Sequence, residues 1–344
     1  MKDLITRLTV PRAPVRTGLV ASTAGFVLLA LAMASAASAQ EYPNRPIRLV
    51  LPYEFGGAAG LFSRTVAKAM SDNLGQNVYV DSKPGANGII GTEIAARAAP
   101  DGYTIYMGAI DAMVITPNVY QNLPYDPVKD FAPISLVTRY PYLLIGNSNF
   151  PARTLNELIA LAKAKPGELS FGSHGTGSSA HLAGAFVAQR AGIELLHVPY
   201  KGSAPALLDV LAGRVPLMFN TVAISAPHIA AGKVRAFGIT GKTRSPLMPD
   251  VPTMEEQGLK GYALTIWQGI LAPAGTPEPI VGKLNRAIVA SIKSKEMVET
   301  LSAQGGVELV GTSPEEFSAT IKTELATYSR VVKDGKIPIQ NLSR

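Results

Sequence analysis

The chain has 344 residues, no cysteine, and a formal net charge of +7 from 32 basic and 25 acidic side chains. Without cysteine there is no disulfide framework, no thiolate metal site and no thiol redox chemistry. The basic residues are scattered and form no stripe with interleaved aromatics, which argues against nucleic acid. A chain this long buries most of its unfolded surface without staples, as one large domain or two lobes.

Lys2, Arg7, Arg12 and Arg16 precede an uncharged apolar run over 19–33, and Ala37-Ser38-Ala39 places small residues around a cut before Gln40. That three-part plan is a secretory signal peptide over 1–39, and the apolar run is short for a bilayer span. The leader holds four basic residues and one acidic, so cleavage leaves 28 basic against 24 acidic side chains, a net +4. Such a balance suits a small anionic ligand.

Beyond the leader, strand-like and helix-like patterns alternate. Residues 47–52 form an apolar strand, and Phe55-Gly56-Gly57-Ala58-Ala59-Gly60 a glycine-rich turn into a helix over 61–74. A strand over 78–80, a Pro84–Gly88 turn, a helix over 89–99 and a strand over 103–107 follow. Thr154 with Glu157, and Ser313 with Glu316, open two further helices as capping boxes. Repeated strand–helix units predict parallel-rich sheets covered by helices.

The stretch 169–220 is the most informative. A short apolar strand over 169–171 enters the loop Gly172-Ser173-His174-Gly175-Thr176-Gly177, and Leu182, Ala185, Phe186 and Gln189 continue at helical spacing. Strand, Gly/Ser/Thr loop, then helix gathers backbone N–H groups at a helix N-terminus, where a carboxylate or phosphate is held without Arg or Lys. The turn at 55–60 has the same form. Two such turns on different lobes would pinch an anion across a cleft that closes by hinge motion.

These motifs, with Tyr42-Pro43, Lys83-Pro84-Gly85-Ala86, Pro100-Asp101-Gly102-Tyr103-Thr104, Leu123-Pro124-Tyr125-Asp126-Pro127, Asp130-Phe131, His181-Leu182, Val198-Pro199-Tyr200-Lys201-Gly202, Pro252-Thr253 and Trp267-Gln268-Gly269, occur in one order along the chain. The ordered set resembles the periplasmic receptors of tripartite tricarboxylate transporters, the Bug family. The resemblance implies a periplasmic binding protein type II-like α/β fold, two lobes around a ligand cleft with two interlobe crossovers, near Tyr140 and Trp267. Lobe 1 is then 40–140 with 267–344, and lobe 2 is 141–266. It implies a monomer that uses no cofactor, captures a small organic acid, and presents it to membrane transporter subunits or to a sensor protein. Carried over residue by residue, the ligand-binding set is Gly56, Gly57 and Ala58 in the first loop, and Thr176, Gly177, Ser178 and His181 in the second. Asn220 and Thr221 line the cleft from lobe 2, and Tyr200 shapes it. Gly60 stands where the family usually has Asp, Glu54 where it has a neutral residue, and Asn220 where Asp is expected. The loss of that Asp at 220 favours an acid without an amino group.

The alternative class is a secreted α/β enzyme acting on a small anion. Gly175-x-Gly177-x-x-Ala180 fits a dinucleotide fingerprint in outline, but Glu194, the nearest acidic residue at the expected distance, begins the next strand instead of ending it. Gly241-Lys242-Thr243 lacks the first glycine of a P-loop, since position 236 is Ala236. No G-x-S-x-G elbow occurs. The four histidines, His174, His181, His197 and His228, are dispersed, so no metal site is expected.

Overall fold

In the computed structural model, residues 42–55, 58–303, 306–334 and 337–342 are described. The leader over 1–39 and the loop residues Gly56 and Gly57 lie outside them. Arg45–Arg344 form one compact unit.

In chain order the unit runs β1 (Ile47–Leu51), α1 (Ala58–Leu74), β2 (Val78–Ser82), α2 (Ile89–Ala96), β3 (Thr104–Ala109), a π-turn (Asp111–Ile115), α3 (Thr116–Val119), β4 (Tyr120–Gln121) and β5 (Phe131–Asn147). It continues with α4 (Leu155–Ala164), β6 (Ser170–Ser173), α5 (Ser179–Ala191), β7 (Leu196–Pro199), α6 (Ser203–Leu211), β8 (Leu217–Thr221), α7 (Val222–Ala230), β9 (Val234–Ile239) and β10 (Thr265–Pro273). Last come α8 (Glu278–Ile292), α9 (Lys295–Ser302), β11 (Glu308–Leu309), α10 (Pro314–Asp334) and β12 (Gln340–Asn341). Helix α1 begins three residues earlier than the sequence pattern predicts, because Ala58-Ala59-Gly60 can join the first turn at no side-chain cost.

One curled mixed sheet carries the fold, in the order β2-β1-β3-β10-β5-β8-β6-β7. Its first half places β1 parallel between β2 and β3, with β10 antiparallel to both β3 and β5. Its second half pairs β5 antiparallel with β8 and β9, and β6 parallel with β7 and β8. Strand β5 therefore serves both lobes. Up to Pro141 it pairs with β10, and from Tyr142 it pairs with β8. The partner change falls after Pro141, which has no N–H to continue a ladder.

Each lobe has its own core. Leu49 and Leu51 of β1 and Phe62, Val66 and Met70 of α1 are fully buried. Leu143, Ile145, Val210, Met218, Val234 and Ile239 form the second core. Of the two expected capping boxes one is complete: Ser313 Oγ accepts from the Glu316 amide at 3.2 Å, and the Glu316 carboxylate accepts from the Ser313 amide. Thr154 Oγ1 likewise accepts from the Glu157 amide, but Glu157 reaches the Arg153 amide instead of that of Thr154. Among the described residues no helix is long and apolar enough to cross a membrane.

Candidate functional site

Strands β6 and β8 are parallel neighbours, and each leads directly into a helix at its C-terminal end. Those two ends, the starts of α5 and α7, lie on the side of the sheet where open α/β folds bind ligands.

The start of α5 is densely bonded. Ser178 is the N-cap, and its Oγ accepts from the His181 amide at 3.3 Å. The Ser178 amide donates to the Gly175 carbonyl, and the Gly175 amide to Ser173 Oγ. The Gly177 amide donates to His181 Nδ1 at 3.1 Å, so that ring nitrogen is the unprotonated one. The His181 ring stacks on His197 with centroids 3.8 Å apart, and both line a groove of about 710 Å³ between α5, β7 and Ile337-Pro338. Burial pushes the His181 imidazole down to about 4. Burial, with the neighbouring His181 and His174 rings, pushes His197 down to about 3. His181 thus braces the second loop from behind, facing this groove.

Asp111 completes the arrangement from the other lobe. It opens the π-turn after β3, is 5% exposed, and its Oδ1 accepts from the Ser179 amide at 2.7 Å. Its Oδ2 accepts from Ser179 Oγ at 3.0 Å, and His174 Nε2 lies 3.3 Å from Oδ1. With the Ser179 hydrogen committed to Asp111, the Tyr142 hydroxyl, 2.9 Å away, donates to Ser179 Oγ. Burial alone would raise the Asp111 carboxyl, but the His174 ring and the Ser179 amide outweigh it and hold it below its ordinary value. It is therefore ionised at neutral pH. Asn87 Nδ2 also donates to the Gly177 carbonyl at 3.4 Å and the Tyr120 hydroxyl to the Thr176 carbonyl at 3.3 Å. Gly177 has φ +72°, and a Cβ there would meet Val119 and Tyr120 at 3.1–3.2 Å, so these two residues close directly over it.

The start of α7 differs. Asn220, 2% exposed, accepts from the Thr221 amide through Oδ1 at 2.9 Å, which holds its side chain over the helix start. Its Nδ2, Thr221 Oγ1 and Ser225 Oγ are buried and have no hydrogen-bond partner among the described residues. Thr221 and Ser225 are four apart and share one helix face. Thr221 also lies directly opposite Tyr142 in the β8–β5 ladder, and opposite residues share a sheet face. Tyr142 thus links the two helix starts: its ring neighbours Thr221 and its hydroxyl reaches Ser179. Tyr53 Oη, and the cross-strand pair Thr138 Oγ1 and Gln268 Oε1, are further buried polar atoms without a partner.

Of the remaining expected residues, Ala58 is the first residue of α1. Tyr200 packs beside Gly172, and its hydroxyl is committed to Asp209 Oδ2 at 2.7 Å. Gly60 has a steric reason. A Cβ there would collide with the Phe55 carbonyl, so only glycine fits at this position of the α1 start. Sequence reasoning missed Asp111, Ser179, Tyr142 and Ser225. Asp111 did carry a signal: it is the one charge in the apolar run 105–115, and a charge in such a run must find a partner when buried. The other three depend on distant pairings.

A family model described as "Tripartite tricarboxylate transporter family receptor" matches residues 62–337. The structure is similar to that of the periplasmic binding protein BugD, at 36% identity and TM-score 0.80, covering 87% of this chain and 100% of that one. It is similar to Rpa4515 of R. palustris with adipate, at 33% identity and TM-score 0.82, covering 88% and 100%. It is also similar to MatC of Rhodopseudomonas palustris with bound malate, at 30% identity and TM-score 0.78, covering 85% and 100%.

Proposed function

Because the chain belongs to the tripartite tricarboxylate transporter receptor family, we propose that it is a periplasmic solute-binding receptor for a small organic carboxylate. It is exported by a leader over 1–39, takes its ligand in the cleft between lobes 40–140 with 267–344 and 141–266, and delivers it to a tripartite tricarboxylate-type membrane transporter. The relatives with adipate and malate support the ligand class. The observation on this chain that carries the reading is the set of buried, unpartnered polar atoms at the start of α7. A buried donor without a partner costs about 1–3 kcal/mol, a cost that persists in a receptor because the ligand removes it.

The ligand is held between the first loop, Gly56, Gly57 and Ala58, and the lobe-2 groups Asn220 and Thr221. Thr176, Gly177 and Ser178 form the opposite rim, supported from behind by His181 and from beside β6 by Tyr200. These groups bind through dipoles and backbone amides, and the protein returns its ligand chemically unchanged.

Thermal unfolding against mono-, di- and tricarboxylates, aromatic acids and amino acids tests this. A ligand at a thousand times its Kd stabilises by about 4.1 kcal/mol, which raises the midpoint by roughly 2–4 °C per kcal/mol for a chain near this size. A shift with one class of acid is the expected result. No shift with any carboxylate, or consumption of a bound acid, overturns the reading.

A further inference from the structure

Two helix starts flank Tyr142, and they stand in opposite states. At α5 the amides of Ser178, Ser179, His181 and Leu182 are all bonded within the chain, and an anion is already present: the Asp111 carboxylate, held by the Ser179 amide, Ser179 Oγ and His174. At α7 three buried polar side-chain atoms have no partner among the described residues, and Asn220 is fixed there by accepting from the Thr221 amide.

We propose that Asp111 determines which acids the receptor accepts: its carboxylate fills the anion position at the start of α5, so a ligand's acid group is refused there and received by Asn220, Thr221 and Ser225 at the start of α7. This rests on the receptor reading above and adds a specificity rule to it. An incoming carboxylate could take the α5 position only by expelling Asp111, which would strand an ionised, 5% exposed side chain against Tyr53, Tyr140 and Tyr142, the phenols that feel its charge. A carboxylate at α7 meets no such competitor. Asn220 Nδ2 donates, the two hydroxyls rotate to donate, and the helix start adds positive potential. A ligand bound there extends toward Tyr142 and the Asp111 charge, so its far end is uncharged or a donor. A second carboxylate at that end is repelled.

The test compares adipate with hexanoate, which has the same chain length and one acid group, by calorimetry on the wild type, Asp111→Ser and Asp111→Asn. Removing the charge and opening its volume in Asp111→Ser shifts the affinity ratio toward adipate by about tenfold or more. Asp111→Asn, which still fills the position, shifts it less. A ratio unchanged in Asp111→Ser overturns the proposal. A second arm needs no physiological ligand: formate, against chloride at equal ionic strength, refills the vacated position and raises the Tm of Asp111→Ser by several degrees, with no effect on wild type or Asp111→Asn. Refolding of Asp111→Ser in formate but not in chloride counts as the same result. An equal response to formate in all three proteins overturns the assignment of the α5 position to Asp111. Failure of both acids to bind wild type strikes the receptor reading and leaves the formate arm to decide on Asp111.

Discussion

The starts of α5 and α7 are built alike and do opposite things. Each follows a parallel strand of the same sheet, and each presents backbone amides and a hydroxyl residue, Ser178 or Thr221, at the N-cap. At α5 the amides of Gly177, Ser178, Ser179, His181 and Leu182 are spent on the protein itself: Ser178 caps, His181 props Gly177, and Asp111 bonds Ser179. At α7 the N-cap side chain makes no capping bond and three polar atoms stay unpaired. A helix start is thus an anion site only where the tertiary structure leaves it one, and the filled end stabilises while the open end binds.

That contrast predicts a division between stability and affinity. The largest effect is expected from Asp111→Ala, which leaves the Ser179 amide and hydroxyl and His174 without their acceptor in a buried setting. It should cost about 3 kcal/mol or more in urea unfolding; a loss below that of an ordinary surface change would mean the filled end is not structural.

Acid provides the next break. His181 and His197 are buried neutral, with imidazoles pushed down to about 4 and about 3. The unfolded chain therefore takes up these protons first as pH falls. The stability that depends on neutral imidazoles is complete above about pH 6.5 and lost progressively toward pH 4, by about 2–3 kcal/mol for His181. Urea midpoints measured from pH 7 to 4 should fall for the wild type and fall less for His181→Gln. Parallel slopes would show that the ring does not titrate with unfolding.

Smaller and sharper is a matched pair of truncations. Ser178→Ala removes a cap that is in use and should cost about 1 kcal/mol. Ser225→Ala removes a hydroxyl that bonds nothing among the described residues, so stability should stay within about 0.5 kcal/mol while affinity for the bound acid drops. If Ser225→Ala costs more stability than Ser178→Ala, the two ends are not divided as described.

Several features are legible in the amino-acid sequence alone. The alternation of apolar strands with amphipathic helices and the glycine-rich loop before Ser178 place β1, β6, α1 and α5 within a few residues. The capping boxes at Thr154 and Ser313 set the starts of two helices, because cap chemistry acts over three residues and needs no tertiary partner. Gly60 is visible as a departure from the family pattern, but its cause, the collision of a Cβ there with the Phe55 carbonyl, requires the folded chain. The 17-residue β5 shared by both lobes is not legible in periodicity, since a strand buried on both faces shows a continuous apolar run instead of an alternation.

What the sequence by itself determined is therefore the local grammar: two strand–loop–helix junctions able to face an anion, and an ordered set of turns that belongs to one receptor family. What only the tertiary structure decided is that the junction before α5 is filled by Asp111, and that the start of α7 is the one left with unpartnered groups. Asp111 lies 68 residues from Ser179, and Tyr142 meets Thr221 only because β5 changes partners after Pro141. Hydrogen bonds are short-ranged and directional, so the spending of an amide on a ligand or on the chain depends on groups that spacing along the sequence does not specify, and that folding brings to within about 3 Å.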